Sequence, residues 1–124
     1  MKKSFTLLLA VFSLLSFAQN ALRFDGINDY VQTTFAGVTG SADRTFEAWI
    51  YLYSSPSSNM CILDYGLNAV GSRNTFMVNG SSNLAYIAGG TNTNISSTGA
   101  AITVGQWVHV AMVMDNGTGY FYVN

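Results

Sequence analysis

Short runs of alternating apolar and polar residues, separated by turn residues, restrict the fold of this chain more than any other feature. Side chains alternate across a strand, so such runs are typical of half-buried β-strands. No window longer than a few residues keeps helical spacing. The predicted strands are 21–25, 30–33, 45–53, 61–65, 75–78, 84–88, 101–103, 107–115 and 119–123. Short strands separated by turns predict an all-β protein, a two-sheet antiparallel β-sandwich or jelly roll.

The last two predicted strands are joined by the clearest turn signal of the sequence. Asn116 and Gly117 stand between two strongly apolar runs, and this dipeptide favours a two-residue hairpin. In the preceding run, residues 107–115, both alternating faces are apolar. We therefore expect this strand to lie centrally in its sheet and to be buried on both sides.

The predicted strand 45–53 has two unlike faces. Four aliphatic or aromatic core residues share one face: Phe46, Ala48, Ile50 and Leu52. The other face carries one acid and three aromatic residues: Glu47, Trp49, Tyr51 and Tyr53. The first face is predicted to be core, and the second is either covered by a loop or presented to a ligand.

The N-terminal segment has the pattern of an export signal. Lys2 and Lys3 are followed by an apolar run, and Ser16 and Ala18 are small residues at the specificity positions of a cleavage site. This predicts a signal peptide at 1–18, a mature domain at 19–124 and a secreted or cell-surface location. The apolar run is shorter than the ~20 residues that span a bilayer, so no membrane span is expected.

Charge excludes one class of partner. After residue 18, three scattered arginines remain, at positions 23, 44 and 73, against six acidic residues. Nucleic-acid binding needs clustered basic side chains that replace the counterions of phosphate. No nucleic-acid partner is therefore expected.

Residues that could support catalysis are few. Glu47 is the only glutamate of the chain and has no acid on its strand face, whereas glycoside hydrolysis ordinarily uses two facing carboxylates. His109 is the only histidine and is expected to be a hydrogen-bonded core residue rather than a catalytic base. Cys61, the only cysteine, is expected to be a small buried residue of its strand, with a reactive or intermolecular thiol as the alternative. The chain is accordingly predicted not to be an enzyme.

Five segments together carry a resemblance to a known family. They are Ala21–Val31, Phe46–Tyr51, Ile62–Gly66, Val104–Ala111 and Gly119–Asn124. In their order they resemble the laminin-G-like, concanavalin A-like jelly-roll domain of secreted bacterial multidomain proteins. Members usually continue past the final Val-Asn with a glycine and further strands, so the resemblance implies a sandwich that is incomplete here, with exposed apolar surface and unpaired edges.

The resemblance also implies a class of function. Such domains commonly bind glycans or surface proteins, which predicts a secreted, non-catalytic, carbohydrate-binding or adhesive module of a larger extracellular protein. The expected partners are extracellular glycans or surface proteins. The alternative is an accessory domain of a carbohydrate-active enzyme whose catalytic acids lie outside this chain.

A turn near the N-terminus is a candidate calcium site. Asp25, Asn28 and Asp29 offer carboxylate and amide oxygens within five residues, and Ca²⁺ prefers several hard oxygen ligands. The resemblance likewise implies a structural Ca²⁺ near the joined termini. The alternative is that these side chains only cap their own turns.

The candidate ligand-binding residues are aromatic. Trp49, Tyr51 and Tyr53 share the non-core face of their strand, and Tyr86 stands near the Asn- and Thr-rich loop 89–98. Flat aromatic side chains with nearby polar groups are the chemistry expected of a sugar site. The alternative for each of the four is a place in the core.

Overall fold

The computed structural model describes residues 20–38, 40, 42–89, 94–99 and 101–124. The predicted signal peptide lies outside these residues. The chain divides into two compact units, Met1–Val31 and Gln32–Asn124. In the first unit, residues 20–31 are irregular, with bends at 26–28.

The described residues of the second unit form seven β-strands. They are β1 Arg44–Tyr51, β2 Met60–Gly66, β3 Arg73–Val78, β4 Leu84–Ile87, β5 Ile95–Ser96, β6 Trp107–Asp115 and β7 Thr118–Val123. One sheet has the order β1-β6-β7 and the other the order β2-β3-β4-β5, and all pairings are antiparallel. The described residues form no helix, and hence none that could cross a membrane. The fold is the predicted all-β, two-sheet antiparallel sandwich.

The core lies between the two sheets, where the inward-facing side chains of both meet. Its buried members are Phe46, Leu52, Phe76, Val78, Leu84, Tyr86, Ile102, Val108, Val110 and Met112. The ring of Phe46, from the three-stranded sheet, lies 6.3 Å from that of Phe76 and 6.2 Å from that of Tyr86 in the opposite sheet. These separations are typical of packed aromatic pairs.

A buried arginine fixes the segment that enters β1. The Arg44 guanidinium donates hydrogen bonds to the carbonyls of Val38, Gly40 and Ala42 and to Asn74 Oδ1. The Tyr86 hydroxyl donates to the same Asn74 oxygen at 2.6 Å. Burial of these polar groups is tolerated because each finds a hydrogen-bond partner.

The strand predictions are confirmed at six places, β1 to β4, β6 and β7, within a few residues at each end. Three predicted strands are wrong: residues 21–25, 30–33 and 101–103 form no strand. Alternation alone does not make a strand without a neighbour to pair with; Ile102, for example, is anchored by one backbone hydrogen bond to Ser82 and by its buried side chain. The two-residue strand β5 was not predicted.

The hairpin at Asn116 and Gly117 is confirmed. Their φ angles are 48° and 78°, and positive values at both central residues define the type I′ turn that Asn-Gly favours. The turn pairs Asp115 with Thr118 and so fixes the register of β6 against β7. The Asn116 N–H also donates to Asp43 Oδ1 at 2.8 Å.

Strand β6 lies at the centre of its sheet as predicted, but the expectation that both faces are buried is wrong. Val108, Val110 and Met112 point into the core and are buried, whereas Trp107 on the opposite face is 51% exposed. Trp49, Tyr120 and Tyr122 on the neighbouring strands of this face are likewise exposed. The inner face of β6 is therefore apolar because it forms the core, whereas the outer face is apolar although it carries an exposed aromatic side chain.

Candidate functional site

The outer face of the three-stranded sheet carries a group of aromatic side chains, here called the outer aromatic surface. Its members are Trp49, Tyr51, Tyr53, Trp107, Tyr120 and Tyr122. Five of them are exposed and Tyr51 is partly buried. They reach this face because alternate residues of β1, β6 and β7 point away from the core. Exposed aromatic groups of this extent on one face are unusual for a surface without a partner.

The rings at one end of this surface contact one another. The Tyr51 ring lies 4.9 Å from the Tyr53 ring and 5.7 Å from the Trp107 ring. Tyr51 and Trp107 are also direct partners in the β1–β6 register. Mutual contact limits the rotamers of these rings, so a ligand that stacks on them loses less side-chain entropy.

Glu47 and His109 lie beside Trp49 on the same face. The His109 ring is 5.3 Å from the Trp49 ring, and His109 Nε2 is 3.6 Å from Glu47 Oε2. The expectation that His109 is a core residue is wrong, because its position in β6 alternates with that of the buried Val108 and Val110 and its side chain is one-third exposed. The outer aromatic surface is therefore bordered by one carboxylate and one imidazole.

The structure brings together three of the four predicted ligand-binding residues. Trp49 and Tyr53 are 65% and 67% exposed and lie with Tyr51 on the outer face. Tyr86 is 3% exposed in the core, which corresponds to the alternative role considered for it, and burial raises the pKa of its hydroxyl. Tyr86 is thus separated from the other three by the thickness of the sandwich.

Sequence reasoning missed three members of the outer aromatic surface: Trp107, Tyr120 and Tyr122. The Asn-Gly turn held the signal for the last two. A two-residue loop places Tyr120 opposite Val113 and Tyr122 opposite Ala111. Once Val110 and Met112 are assigned to the core, the same alternation assigns both tyrosines to the opposite face.

The outer face does not bring two carboxylates into hydrolytic range. Glu47 is paired with Ala111, and the other acid of this face among the described residues, Asp115, lies four positions along β6. Four strand residues span about 13 Å, whereas the two acids of a glycosidase are separated by roughly 5 to 9.5 Å. The arrangement suits binding better than hydrolysis of a glycosidic bond.

The candidate calcium turn lies in the unit Met1–Val31. Asp25 Oδ1 accepts a hydrogen bond from the Ile27 N–H at 2.8 Å, and Asp29 Oδ2 accepts one from the Asp25 N–H at 2.9 Å. Each carboxylate thus caps its own turn with one oxygen. The second oxygens and the Asn28 amide would give three ligands, fewer than the six to eight that Ca²⁺ takes. These residues fit only part of a calcium site, and calcium binding stays a prediction.

Cys61 is exposed on β2, so the expectation that it is buried is wrong. It is paired with Met77 at the edge of the four-stranded sheet, and the register shifts directly after it. Partial burial of the sulfur, and then the nearby Asp64 carboxylate, raise the pKa of the thiol. A raised pKa lowers the thiolate fraction and with it the reactivity of the cysteine.

Comparison with known proteins gives one match. The family model described as the concanavalin A-like lectin/glucanases superfamily, of the laminin-G type, matches residues 25–124. No curated protein and no solved structure gives a significant match. The family match covers every strand of the sandwich and confirms the resemblance found in the sequence.

Proposed function

The chain belongs to the laminin-G type of the concanavalin A-like lectin/glucanase superfamily, and on that premise we propose that it is an extracellular, non-catalytic module that binds glycans through the outer aromatic surface. The superfamily fits a carbohydrate-binding or adhesive module. The observation that carries the finer proposal is the row of exposed rings across β1, β6 and β7.

The physical basis is the match between flat rings and sugar rings. Pyranose rings have apolar C–H faces that stack on aromatic side chains, and their hydroxyls hydrogen-bond with polar groups at the rim. Trp49 on β1 and Tyr122 on β7 lie on the two sides of β6, and strands are about 4.8 Å apart. Trp49 is opposite His109 and Tyr122 is opposite Ala111, two residues apart along β6. Their Cα atoms are therefore separated by roughly 12 Å, and the surface can contact more than one sugar unit.

The non-catalytic part of the proposal rests on the carboxylates. Glu47 and Asp115 are too far apart on the outer face for the paired-acid mechanism, and laminin-G-like jelly-roll domains are typically non-catalytic. The extracellular part rests on the N-terminal sequence, with its basic start, apolar run and small residues at 16 and 18. The chain would then act as the targeting or adhesive part of a larger secreted protein.

The test is direct binding of the purified protein to soluble oligosaccharides and to insoluble polysaccharides, measured by calorimetry and by co-sedimentation. Trp49→Ala and Tyr122→Ala are each expected to weaken binding about ten-fold, because each removes one stacking contact. Both side chains are more than half exposed, so the variants should keep their fold.

Leu67→Ala serves as the control. Leu67 is 73% exposed, but it follows β2 in the other sheet, and its truncation should leave glycan affinity unchanged. Binding that survives both aromatic substitutions would refute the proposed site. If no glycan binds the wild-type protein, the glycan-binding function itself is refuted.

A further inference from the structure

The chemistry of the outer aromatic surface narrows the class of glycan, and this inference rests on the proposed function. Glu47 lies at the border of the surface, on the edge strand β1: in the sheet register it is opposite Ala111, which is opposite Tyr122. Ala111 is the smallest side chain that β6 places on this face, and it is buried. A carboxylate and an aromatic ring therefore stand on the two sides of a small side chain.

The Glu47 carboxylate is accessible, and neither arginine of the unit Gln32–Asn124 pairs with it. Its side chain is 70% exposed, and its Oε2 lies 3.6 Å from His109 Nε2. Within the unit Gln32–Asn124, Arg44 is buried against carbonyls and Asn74, and Arg73 pairs with Asp64 on the other sheet.

A carboxylate among aromatic faces is suited to an ammonium group. The π faces of tryptophan and tyrosine attract cations, and the carboxylate adds a charge-assisted hydrogen bond. The same carboxylate disfavours uronic acids and sulfated sugars, because like charges repel. Neutral sugars can donate a hydroxyl hydrogen bond to Glu47, but they lack the charge attraction that an ammonium group adds.

We propose that the preferred ligand is a polymer of 2-amino-2-deoxy sugars with free, protonated amino groups, with Glu47 binding the ammonium group while Trp49 and Tyr122 contact the sugar rings. A sugar ligand is favoured over a lysine side chain of a protein. The rings lie side by side on an open sheet face and form no enclosed cage, so they suit successive pyranose rings better than a single aliphatic stem.

Three β-1,4-linked hexamers test the proposal, because they differ only at C2: glucosamine, with an ammonium group, N-acetylglucosamine, with an amide, and glucose, with a hydroxyl. Calorimetry at slightly acidic to neutral pH should give an affinity for the glucosamine hexamer about ten-fold higher than for the glucose hexamer. Glu47→Gln should reduce this preference to the part that the rings supply, and should lower the affinity for the glucose hexamer by a smaller factor than the affinity for the glucosamine hexamer.

Asp115→Asn is the matched control. It changes the net charge by the same amount at the far end of β6, about 13 Å along the strand from Ala111. The preference for the glucosamine hexamer should survive in this variant. Its loss in Asp115→Asn as well would show attraction by net charge alone and would overturn the proposal.

The remaining outcomes separate this inference from the proposed function. Equal affinity for the three hexamers would overturn the role of Glu47 while glycan binding stands. If none of them binds, both fail. If a lysine hexapeptide binds more tightly than the glucosamine hexamer, and loses that affinity in Glu47→Gln, the surface recognises a basic protein and the glycan assignment is wrong.

Discussion

The two sheets of the sandwich have outer faces of opposite character. On β3, in the four-stranded sheet, the outward-facing Thr75 and Met77 are 1% and 4% exposed. On β6, in the three-stranded sheet, Trp107 occupies an outward-facing position and is half exposed. The first outer face is thus covered at its centre, on β3, although Cys61 on the edge strand β2 is exposed. The second keeps most of its aromatic rings exposed. A covered face contributes to stability, whereas an open aromatic face has its rings available to a ligand.

The polar groups on the outer faces of the two sheets also differ in how far they are exposed. On the covered face, the Thr75 hydroxyl donates a hydrogen bond to Asp64 Oδ1 and accepts one from Arg73 Nε. On the open face, Glu47 and His109 are separated by 3.6 Å and remain partly in solvent. Thr75 is buried, and hydrogen bonds of a buried hydroxyl to charged partners stabilise a fold more than an exposed ion pair does. The hydrogen bonds of Thr75 are therefore structural, whereas Glu47 and His109 can exchange their partners.

The largest effect is expected when the stability loss at Met77 is compared with that at Tyr122, two large side chains that point away from the core. Met77→Ala should lower the free energy of unfolding by about 2 to 5 kcal/mol, because it leaves a cavity in a covered face. Tyr122→Ala should lower it by less than about 1 kcal/mol, because the side chain is already half in water. Urea unfolding of both variants measures the difference, and equal losses would remove the distinction between the faces.

The same isosteric substitution, threonine to valine, tests the polar groups of the two outer faces. Thr75→Val should cost roughly 1.5 to 3 kcal/mol of unfolding free energy, because it removes two hydrogen bonds with charged partners. The same substitution at Thr45, which is exposed on the outer face of β1, should change it by less than about 0.5 kcal/mol. Thermal unfolding of the two variants side by side makes the measurement, and a Thr45 effect as large as that at Thr75 would contradict it.

The smallest expected effect concerns the reaction rate of the Cys61 thiol, at the edge of the four-stranded sheet. Because partial burial and the Asp64 charge raise the pKa of the Cys61 thiol, its thiolate fraction at mildly alkaline pH should be below that of free cysteine. Alkylation by iodoacetamide should be slower than that of free cysteine and should continue to accelerate at pH values where free cysteine has reached its plateau. Asp64→Asn removes a charge that disfavours the thiolate and should increase the rate; Asp43→Asn should not. An unchanged rate in Asp64→Asn would exclude the role of the carboxylate.

Periodicity was sufficient to predict the six longer strands, but it missed the two-residue strand β5 and predicted strands at 21–25, 30–33 and 101–103 that do not form. Strand β6 was predicted with its observed bounds, because its alternation and the Asn-Gly turn agree. Residues 21–25 alternate equally well yet form no strand, since pairing is a property of two segments and not of one. The residues of one segment alone do not show whether a second segment pairs with it.

The candidate site was predicted in part for a related reason. Trp49 and Tyr51 share β1 and Tyr53 follows two residues after its end, so alternation along the predicted strand 45–53 groups them. Trp107 joins them only through the β1–β6 register, which pairs it with Tyr51. Whether an apolar outer face is covered also depends on layers that no single strand encodes, which is why β6 was expected to be buried on both sides.

The type I′ turn at Asn116 and Gly117 decides which rings a ligand can reach. A shift of β7 by a single residue would turn Phe121 and Val123 towards solvent and bury Tyr120 and Tyr122, because side chains alternate with a period of two. The two-residue loop and the hydrogen bond from the Asn116 N–H to Asp43 oppose such a slip. A glycine inserted beside Gly117 that shifted the register would therefore change the surface chemistry, exchanging two tyrosines for Phe121 and Val123 without altering a single residue of β7.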